Sequence, residues 1–270
     1  MTSLPKGRAA ITGASSGIGA AYADRLARRG CALLLVARRA DRLAALAKSL
    51  TREHGVDVET LIADLEDPTS LALVEARIAK PDISILINNA GAGGLGASAQ
   101  LTADQIERII RLNITALSRL SHAALANFRA DGRGLLVNIG SVIGYAPSPS
   151  GAAYSGSKAF VLNFTRSLQA EHKSHPGVQI QLVMPGPIRT EFFSSQGLSD
   201  SVFPDSSYLT PDQLVDAALT GAEAGELITI PSLAERCVWE RLEEARLAFM
   251  TAVSSGAVAP RYLPAESVTA

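Results

Sequence analysis

The chain has 270 residues, of which 47% are hydrophobic and 19% are charged. This balance predicts a globular chain with a substantial core and excludes disorder over most of its length. The 25 basic and 26 acidic residues leave a net charge of −1, and no basic run stands out. We therefore expect no nucleic-acid partner.

The cysteines and the apolar runs indicate where the protein works. Only two cysteines, Cys31 and Cys237, are present, which favours unpaired thiols in a reducing compartment. Residues 1–8 contain no apolar stretch of signal-peptide length. The longest apolar runs fall far below the ~20 residues that a membrane-spanning helix needs. These features predict a cytoplasmic protein with no membrane partner.

Short apolar runs alternate with helical patterns along the chain. The runs predict strands at residues 8–12, 31–37, 58–62, 83–87, 135–139, 178–183 and 227–230. They lack strict alternation, which is typical of parallel strands buried on both faces. The helical patterns cover residues 17–29, 40–54, 67–80, 102–129, 151–173, 211–224 and 233–250. The predicted fold class is α/β, a Rossmann-like doubly wound parallel sheet of about seven strands with helices on both faces.

The same alternation predicts one domain over residues 1–270, with two small domains as the alternative. Residues 186–208, called the lid segment below, are long and irregular and contain Phe192, Phe193 and Phe203. Loops of this length are usually functional, so we expect a mobile lid over the substrate. The alternative is a segment whose phenylalanines pack into a small core of their own. Residues 233–270 are expected to form a C-terminal helix and tail.

Three glycines, Gly13, Gly17 and Gly19, lie between the first predicted strand and the first predicted helix. A glycine-rich turn at this place lets backbone amides approach a pyrophosphate, and the helix N-terminus adds partial positive charge. The spacing is Gly-x-x-x-Gly-x-Gly, which differs from the usual dinucleotide motif Gly-x-Gly-x-x-Gly. A tight structural turn is therefore the alternative to a dinucleotide site.

The end of the second predicted strand indicates which dinucleotide would bind. Sites for NAD typically place an acid there, which accepts hydrogen bonds from the ribose 2′-hydroxyl. Here Ala37 occupies that position, and Arg38 and Arg39 follow it. A guanidinium suits a 2′-phosphate through charge-assisted hydrogen bonds. We predict NADP in preference to NAD; a solvated arginine pair is the alternative.

Tyr154 and Lys158 are four residues apart, so both project from one face of the predicted helix. A phenol has a pKa near ~10. A nearby ammonium and a positively charged nicotinamide would stabilise the phenolate, so Tyr154 could act as a general acid or base near neutral pH. Ser141 follows a predicted strand end, where its hydroxyl could bond a substrate oxygen. An exposed helix face would explain a lone Tyr/Lys pair equally well.

The complete set of motifs resembles the short-chain dehydrogenase/reductase family, in its shorter cytosolic branch with TGxxxGxG and YxxxK motifs. The resemblance covers residues 8–230 and implies NAD(P)-dependent interconversion of C=O and CH–OH groups. It implies these catalytic residues: Asn113, Ser141, Tyr154 and Lys158. Asn113 would help a water to relay protons to the lysine. No histidine has metal-ligand spacing, so no metal is expected and the four histidines are predicted to lie on the surface.

The expected cofactor contacts follow the family's motifs, with the arginine pair added from the strand argument. They are Gly13, Ser15, Ser16, Gly17, Ile18, Gly19, Arg38, Arg39, Asp64, Leu65, Asn89, Ala90, Gly91, Tyr154, Lys158, Pro185, Gly186, Ile188 and Thr190. By the resemblance, Asp64 holds the adenine ring, and Ile188 and Thr190 hold the nicotinamide carboxamide. Asn89 is expected to act through structure more than through contact with the ligand.

The predicted function is an NADP(H)-dependent carbonyl reductase or alcohol dehydrogenase for a small to medium, mainly apolar substrate. One alternative is a non-catalytic dinucleotide sensor; such family members often lose the Tyr or the Lys, whereas this chain has both. Another is a nucleotide-sugar epimerase or dehydratase, which resembles a longer branch with a larger C-terminal domain. Family members commonly pair the helices predicted at 102–129 and 151–173, so a homodimer or homotetramer is expected.

Overall fold

A computed structural model describes residues 4–94, 100–197, 199, 202–254 and 256–263. Its strands are β1 Arg8–Thr12, β2 Ala32–Ala37, β3 Val58–Ile62, β4 Ile83–Asn88, β5 Gly134–Ile139, β6 Val178–Val183 and β7 Ile228–Thr229. They form one sheet in the order β3-β2-β1-β4-β5-β6-β7, and neighbouring strands are parallel throughout. The predicted α/β fold class is confirmed.

Helices cover both faces of this sheet. The helices within residues 1–232 are α1 Gly17–Arg28, α2 Ala40–His54, α3 Pro68–Ile78, α4 Ala103–Ile110, α5 Leu117–Asp131, α6 Ala152–Glu171 and α7 Pro211–Glu223, and a further helix, α8 Arg236–Ala252, follows them in the chain. Asp67 accepts a hydrogen bond from the Ser70 amide at 2.7 Å and caps α3, and Thr102 forms a capping box with Gln105. The strand order reverses between β1 and β4, because β2 and β3 lie on one side of β1 and β4 to β7 lie on the other. Sheets of this kind bind ligands at the carboxyl ends of the two strands where the order reverses.

The core lies in two layers, one on each face of the sheet. On one face Tyr22 and Leu26 of α1 and Leu214 of α7 are fully buried against strand side chains such as Leu35. On the other face α3 and α5 bury a second set that includes Val74 and Phe128. Burial on both faces explains why the strand sequences do not alternate.

Three predicted elements differ from the structure. β3 is an edge strand that leaves Ile62 61% exposed, so the expectation of burial on both faces is wrong there. β7 is only two residues long. The single helix predicted at residues 102–129 is interrupted by a π-helical turn, Arg111–Ala116. The interruption matters because it carries Asn113.

A buried polar network joins β4 and β5 to the helices behind them. Asn88 Nδ2 donates to Asn138 Oδ1 and to Ser121 Oγ, both at 3.0 Å. Asn138 Nδ2 in turn donates to Thr165 Oγ1 on α6 at 3.0 Å. Buried amides are costly unless they are hydrogen-bonded, so this network fixes how α5 and α6 pack on the sheet.

The prediction that all four histidines lie on the surface is wrong for His172, whereas His54 and His175 are half-buried and His122 is exposed. His172 is buried, with Nδ1 2.9 Å from the Leu168 carbonyl oxygen. His54 Nε2 lies 2.9 Å from Asp24 Oδ1. Asp24, Glu53 and His54 each offer one atom that could bind a metal ion, and these atoms lie within 4.8 Å of one another. Arg25 and Arg28 also contact Asp24, which is typical of an ion-pair network.

The chain divides into two compact units, Met1–Ser232 and Leu233–Ala270. The first contains the sheet and helices α1 to α7, and the second contains α8 and a 3-10 turn, Pro260–Tyr262. Within the described ranges, the helices are all too short or too polar to cross a bilayer. The single domain over residues 1–270 stays a prediction.

Candidate active site

The turn after β1 has a backbone that suits only glycine. Gly13 and Gly17 have φ angles of +66° and +54°, in the left-handed region that disfavours side chains. A Cβ at Gly19 would overlap the Gly13 carbonyl oxygen and the Asn89 side chain. The turn is thus a bare backbone cradle that leads into the N-terminus of α1. Such a cradle fits the pyrophosphate of a dinucleotide.

Side chains from β1 and β4 hold this turn in place. Thr12 Oγ1 accepts hydrogen bonds from the amides of Asn89 and Ala90, both at 3.0 Å. Asn89 Nδ2 donates to the Thr12 carbonyl at 2.9 Å and to the Gly13 carbonyl at 3.3 Å. Asn89 thus fastens the start of the glycine turn to the end of β4.

The arginine pair after β2 flanks the glycine turn. Arg39 donates to Ser15 Oγ at 3.0 Å and to Ser16 Oγ at 2.6 Å. The Arg38 side chain is 53% exposed and lies 3.4 Å from Glu66 Oε1. Ala37 supplies no acceptor for a ribose 2′-hydroxyl. The end of β2 therefore presents two guanidinium groups, which also face the carboxylates of Asp64, Glu66 and Glu191, where the 2′ substituent of an adenosine would lie.

The loop after β3 places the predicted adenine residues beside that pair. Asp64 Oδ1 accepts a hydrogen bond from the Glu66 amide at 3.0 Å, which fixes the turn. Leu65 is buried in the layer formed by α3 and α5. The Ala63 amide bonds the Ala37 carbonyl at 3.1 Å, so the ends of β2 and β3 are held together. The packing of Leu65 gives it a structural role.

Tyr154 and Lys158 lie on one face of α6, as their spacing predicts. Lys158 Nζ is 5.8 Å from the centroid of the Tyr154 ring and donates to the Ile139 carbonyl at 3.0 Å. Burial raises the pKa of Tyr154 to about 12, although a hydrogen bond with Ser141 acts to lower it. Burial also lowers the pKa of Lys158 to about 8. The pair thus contains a protonated phenol and an ammonium that loses its charge in mildly alkaline solution.

Ser141 follows β5 and faces the same space. Its hydroxyl donates to the Pro185 carbonyl at 3.3 Å and accepts from the Ile143 amide at 3.4 Å. The Val142 amide also bonds the Pro185 carbonyl, at 3.0 Å. These bonds tie the start of the 185–190 motif to Ser141. A substrate oxygen between Ser141 and Tyr154 would meet two hydroxyl groups.

The π-helical turn between α4 and α5 positions Asn113. This side chain is buried and exchanges two hydrogen bonds with Ala92, at 2.8 and 2.9 Å. Its Nδ2 also donates to Ser157 Oγ at 2.9 Å, and Ser157 donates to the Tyr154 carbonyl at 2.7 Å. A Cβ at Gly91 would lie 3.3 Å from Asn113 Oδ1 and 3.9 Å from Lys158 Nζ. Asn113, Gly91 and Lys158 are therefore neighbours.

Ser157 is a site residue that the sequence analysis missed. It is buried on α6 between Asn113 and the Tyr154 backbone. The only signal in the sequence is its place between Tyr154 and Lys158, which it shares with Ser155. Its importance depends on the π-helical turn that brings Asn113 to it, and that turn is a tertiary feature.

The lid segment runs from β6 back over the glycine turn. Ile188 forms a parallel bridge with Leu209, and its side chain is buried against the core. A Cβ at Gly17 would lie 3.0 Å from Thr190 Cγ2, so Thr190 contacts the turn directly. A Cβ at Gly186 would lie 3.6 Å from Ser232 Oγ. Thr190 therefore lies against the glycine turn.

The three phenylalanines of this segment divide between the two roles considered for them. The Phe192 ring lies 5.5 Å from the Tyr154 ring, at the catalytic side of the cleft. Phe193 is buried and contacts Phe203 and Tyr208, with ring centroids 6.0 and 5.9 Å away. Phe192 therefore contacts both Tyr154 and Phe193, whereas Phe203 is 41% exposed and contacts Phe193 and Tyr208.

Comparison with known proteins identifies the family. A model of the short chain dehydrogenase family matches residues 8–200. A short-chain dehydrogenase from Sphingobium yanoikuyae, solved in complex with NADPH, is 46% identical with a TM-score of 0.91, over 95% of this chain and 100% of that one. The bulky-bulky ketone specific alcohol dehydrogenase from Comamonas testosteroni is 42% identical with a TM-score of 0.87, over 96% and 99%.

A curated relative is more distant and longer. The very-long-chain 3-oxoacyl-CoA reductase-A of Danio rerio is 34% identical over 215 residues, which are 78% of this chain and 65% of that protein. This chain thus matches slightly less than two thirds of the relative's length. The family match and the motif geometry agree, and the predicted resemblance is confirmed: the chain belongs to the short-chain dehydrogenase family.

Proposed function

We propose that this chain is an NADP(H)-dependent oxidoreductase that interconverts a ketone or aldehyde and an alcohol by hydride transfer. The observation that carries the proposal is the placement of Ser141, Tyr154 and Lys158 at the carboxyl edge of the sheet, where the glycine cradle also lies. The substrate class is a small to medium, mainly apolar molecule, because Phe192 packs beside Tyr154.

Each catalytic side chain has a distinct task. A bound nicotinamide supplies or accepts the hydride. Tyr154 donates its phenolic proton to the substrate oxygen in reduction and takes the proton back in oxidation. Ser141 hydrogen-bonds the same oxygen and orients it. Burial raises the pKa of the phenol to about 12, and we expect protonated Lys158 together with a positively charged nicotinamide to lower it during the reaction.

Asn113 acts in this scheme as a positioning residue. The hydrogen bonds described for its side-chain amide go to Ala92 and Ser157. Those bonds hold the backbone after Gly91 close to Lys158 and hold the first turns of α6 through Ser157. The resemblance implies a relay of protons toward Lys158. In this scheme the relay depends on Asn113 because Asn113 fixes the positions of Ala92 and Ser157 close to Lys158.

The choice of NADP rests on charge at the end of β2. Arg38 and Arg39 are the groups placed to bind a 2′-phosphate, and Ala37 leaves the ribose hydroxyl of NAD without an acceptor. The NADPH complex of the Sphingobium yanoikuyae protein supports the same choice. Hydrogen bonds to charged groups are worth about 1.5–3 kcal/mol each, enough for a clear preference.

We expect the catalytic efficiency with NADPH to decrease in alkaline solution. The lowered pKa of Lys158, about 8, means that the free enzyme loses the ammonium as pH rises through that value. The neutral amine neither holds the nicotinamide ribose well nor stabilises a phenolate. We expect kcat/KM for NADPH, which reports ionisations of the free enzyme, to fall above pH 8. A profile that stays level to pH 10 would contradict this assignment.

Phe192 is expected to contribute to substrate binding, whereas Phe203 is not. Replacing Phe192 by Ala removes an aromatic wall beside Tyr154, so KM for an apolar ketone should rise about tenfold or more. Phe203→Ala is the matched control, because Phe203 contacts Phe193 and Tyr208 instead. Steady-state kinetics with the best substrate measures both variants. Equal effects of the two substitutions would argue against a substrate contact by Phe192.

A panel of ketones, aldehydes and secondary alcohols tests the proposal as a whole. Consumption or formation of NADPH is followed by near-ultraviolet absorbance, with NADH in parallel. Ketones that have apolar groups on both sides are the first choice, supported by the specificity stated for the Comamonas testosteroni relative. Turnover with NADPH and at least one such ketone is the expected result. Binding of NADPH without turnover of any compound would favour the non-catalytic sensor.

A homodimer or homotetramer in the cytoplasm completes the proposal. The helices that would pair are those at residues 102–129 and 151–173, and Phe160 of α6 is exposed there and stacks on Phe164 at 5.4 Å. A symmetric contact would use the same patch on both subunits. Light scattering at micromolar protein should give a dimer or tetramer mass, and a monomer mass would refute the assembly.

A further inference from the structure

An ion-pair cluster joins the lid segment to the arginines beside the glycine turn. Glu191 Oε2 lies 2.8 Å from Arg39 Nη1, and Glu191 Oε1 lies 2.7 Å from Arg42 Nη1. The carboxylate therefore bridges two guanidinium groups, with one oxygen on each. Glu191 directly follows Thr190, which contacts the glycine turn. Neither the motifs nor the mechanism above assigns a role to Glu191.

Arg39 is the group for which this carboxylate and a cofactor phosphate would compete. Its Nε and Nη2 donate to Ser15 and Ser16 of the glycine turn, and its Nη1 donates to Glu191. The contacts described for Arg39 thus include one charged partner, and it is Glu191. A 2′-phosphate that approaches Arg39 would meet a carboxylate already bound to the same guanidinium and would be repelled by it.

We infer that Glu191 is a cofactor-specificity residue: its carboxylate competes with the 2′-phosphate of NADP(H) for Arg39 and Arg42 and so limits the preference for NADP(H) over NAD(H). The inference rests on the proposed use of NADP(H). Arg39 also lowers the pKa of Glu191, so the carboxylate is charged at neutral pH. The Glu191 side chain is 52% exposed, which leaves it free to turn away when a phosphate binds.

The expected change in affinity for a 2′-phosphorylated ligand is set by the solvent exposure of the Glu191 ion pairs with Arg39 and Arg42. Exposed ion pairs are weak and are screened by salt. Removing the charge of Glu191 should therefore tighten binding of a 2′-phosphorylated ligand by about 3- to 10-fold, the range expected for one or two exposed ion pairs. A ligand that has a free 2′-hydroxyl carries no 2′-phosphate to compete with Glu191 for Arg39 and Arg42, so its affinity should not change. The gain should shrink at high salt.

The test uses adenosine fragments that do not reach the nicotinamide side of the cleft. Calorimetry compares 2′,5′-ADP with 5′-ADP on the full chain, as wild type and as Glu191→Gln. Asp205→Asn is the matched control, because Asp205 pairs with Arg189 of the same segment at 2.9 Å, away from Arg39. We expect Glu191→Gln alone to bind 2′,5′-ADP more tightly, with unchanged binding of 5′-ADP.

The possible outcomes separate the two claims. Unchanged or weaker binding of 2′,5′-ADP by Glu191→Gln would overturn the inference, because the carboxylate would then be inert or would hold Arg39 in place. Equal tightening of both fragments would also overturn it, since the effect would not depend on the 2′-phosphate. A wild type that binds 5′-ADP better than 2′,5′-ADP would instead overturn the assignment of NADP, whatever the variant does.

Discussion

Replacing Tyr154 by Phe should lower turnover by about 10²–10⁴-fold, the range that a general acid or base contributes. The substitution removes one hydroxyl and keeps the ring that packs on Phe192. Cofactor binding should therefore persist, because the side-chain hydrogen bonds described for the glycine turn come from Asn89 and Arg39. Turnover of the best ketone with NADPH measures the loss, and calorimetric titration with NADPH measures the binding that remains.

Tyr208→Phe is the control for that experiment. It removes a tyrosine hydroxyl from the lid segment, where Tyr208 accepts a bond from the Phe203 amide at 3.4 Å. It should leave most of the activity intact. Near-normal turnover by Tyr154→Phe would show that another group moves the proton, and the role of Lys158 would have to be assigned again.

The combined substitution Ala37→Asp and Arg38→Leu should reverse the cofactor preference. The aspartate supplies the acceptor that a ribose 2′-hydroxyl needs, and loss of Arg38 removes one charged donor to the 2′-phosphate. Since hydrogen bonds to charged groups are worth about 1.5–3 kcal/mol each, the ratio of kcat/KM for NADPH to that for NADH should fall by about 100-fold. Steady-state kinetics with both cofactors gives the ratio.

Arg108→Leu is the control for this double variant, because it removes a nearby positive charge that we do not expect to contact the 2′-phosphate. Arg108 pairs with Glu66 at 2.9 Å, the same carboxylate that Arg38 faces at 3.4 Å. Its loss should change the cofactor ratio little. A double variant that still prefers NADPH, or a wild type with equal efficiency for NADH, would show that the arginine after β2 does not select the cofactor.

Much of the fold could be predicted because parallel strands buried on both faces have continuous apolar sequences. The edge strand β3 departed from this rule, since Ile62 faces solvent on the last strand of the sheet. The Tyr154–Lys158 pair was predictable from helical spacing, and the structure keeps both on one face of α6. The glycine turn could be predicted because only glycine tolerates the backbone angles of Gly13 and Gly17.

Other parts of the candidate site depend on contacts between distant residues. The π-helical turn around Asn113 has no local signal, because residues 102–129 have a continuous helical pattern and the turn is matched to Ala92 and Ser157. The separate roles of Phe192 and Phe193 depend on which neighbour each ring meets. The contact of Glu191 with Arg39 joins residues 152 positions apart, and a charge pattern along the chain cannot predict it.

The central claim is that this site moves a hydride between NADP(H) and a carbonyl carbon. The most direct measurement is reduction of the best ketone by NADPH that carries deuterium at the transferable ring position, followed by mass spectrometry of the product. The account predicts an alcohol with one deuterium on the carbon that bears the hydroxyl, formed by wild type and nearly absent with Tyr154→Phe. Alcohol without deuterium, or equal labelled product from both proteins, would contradict it.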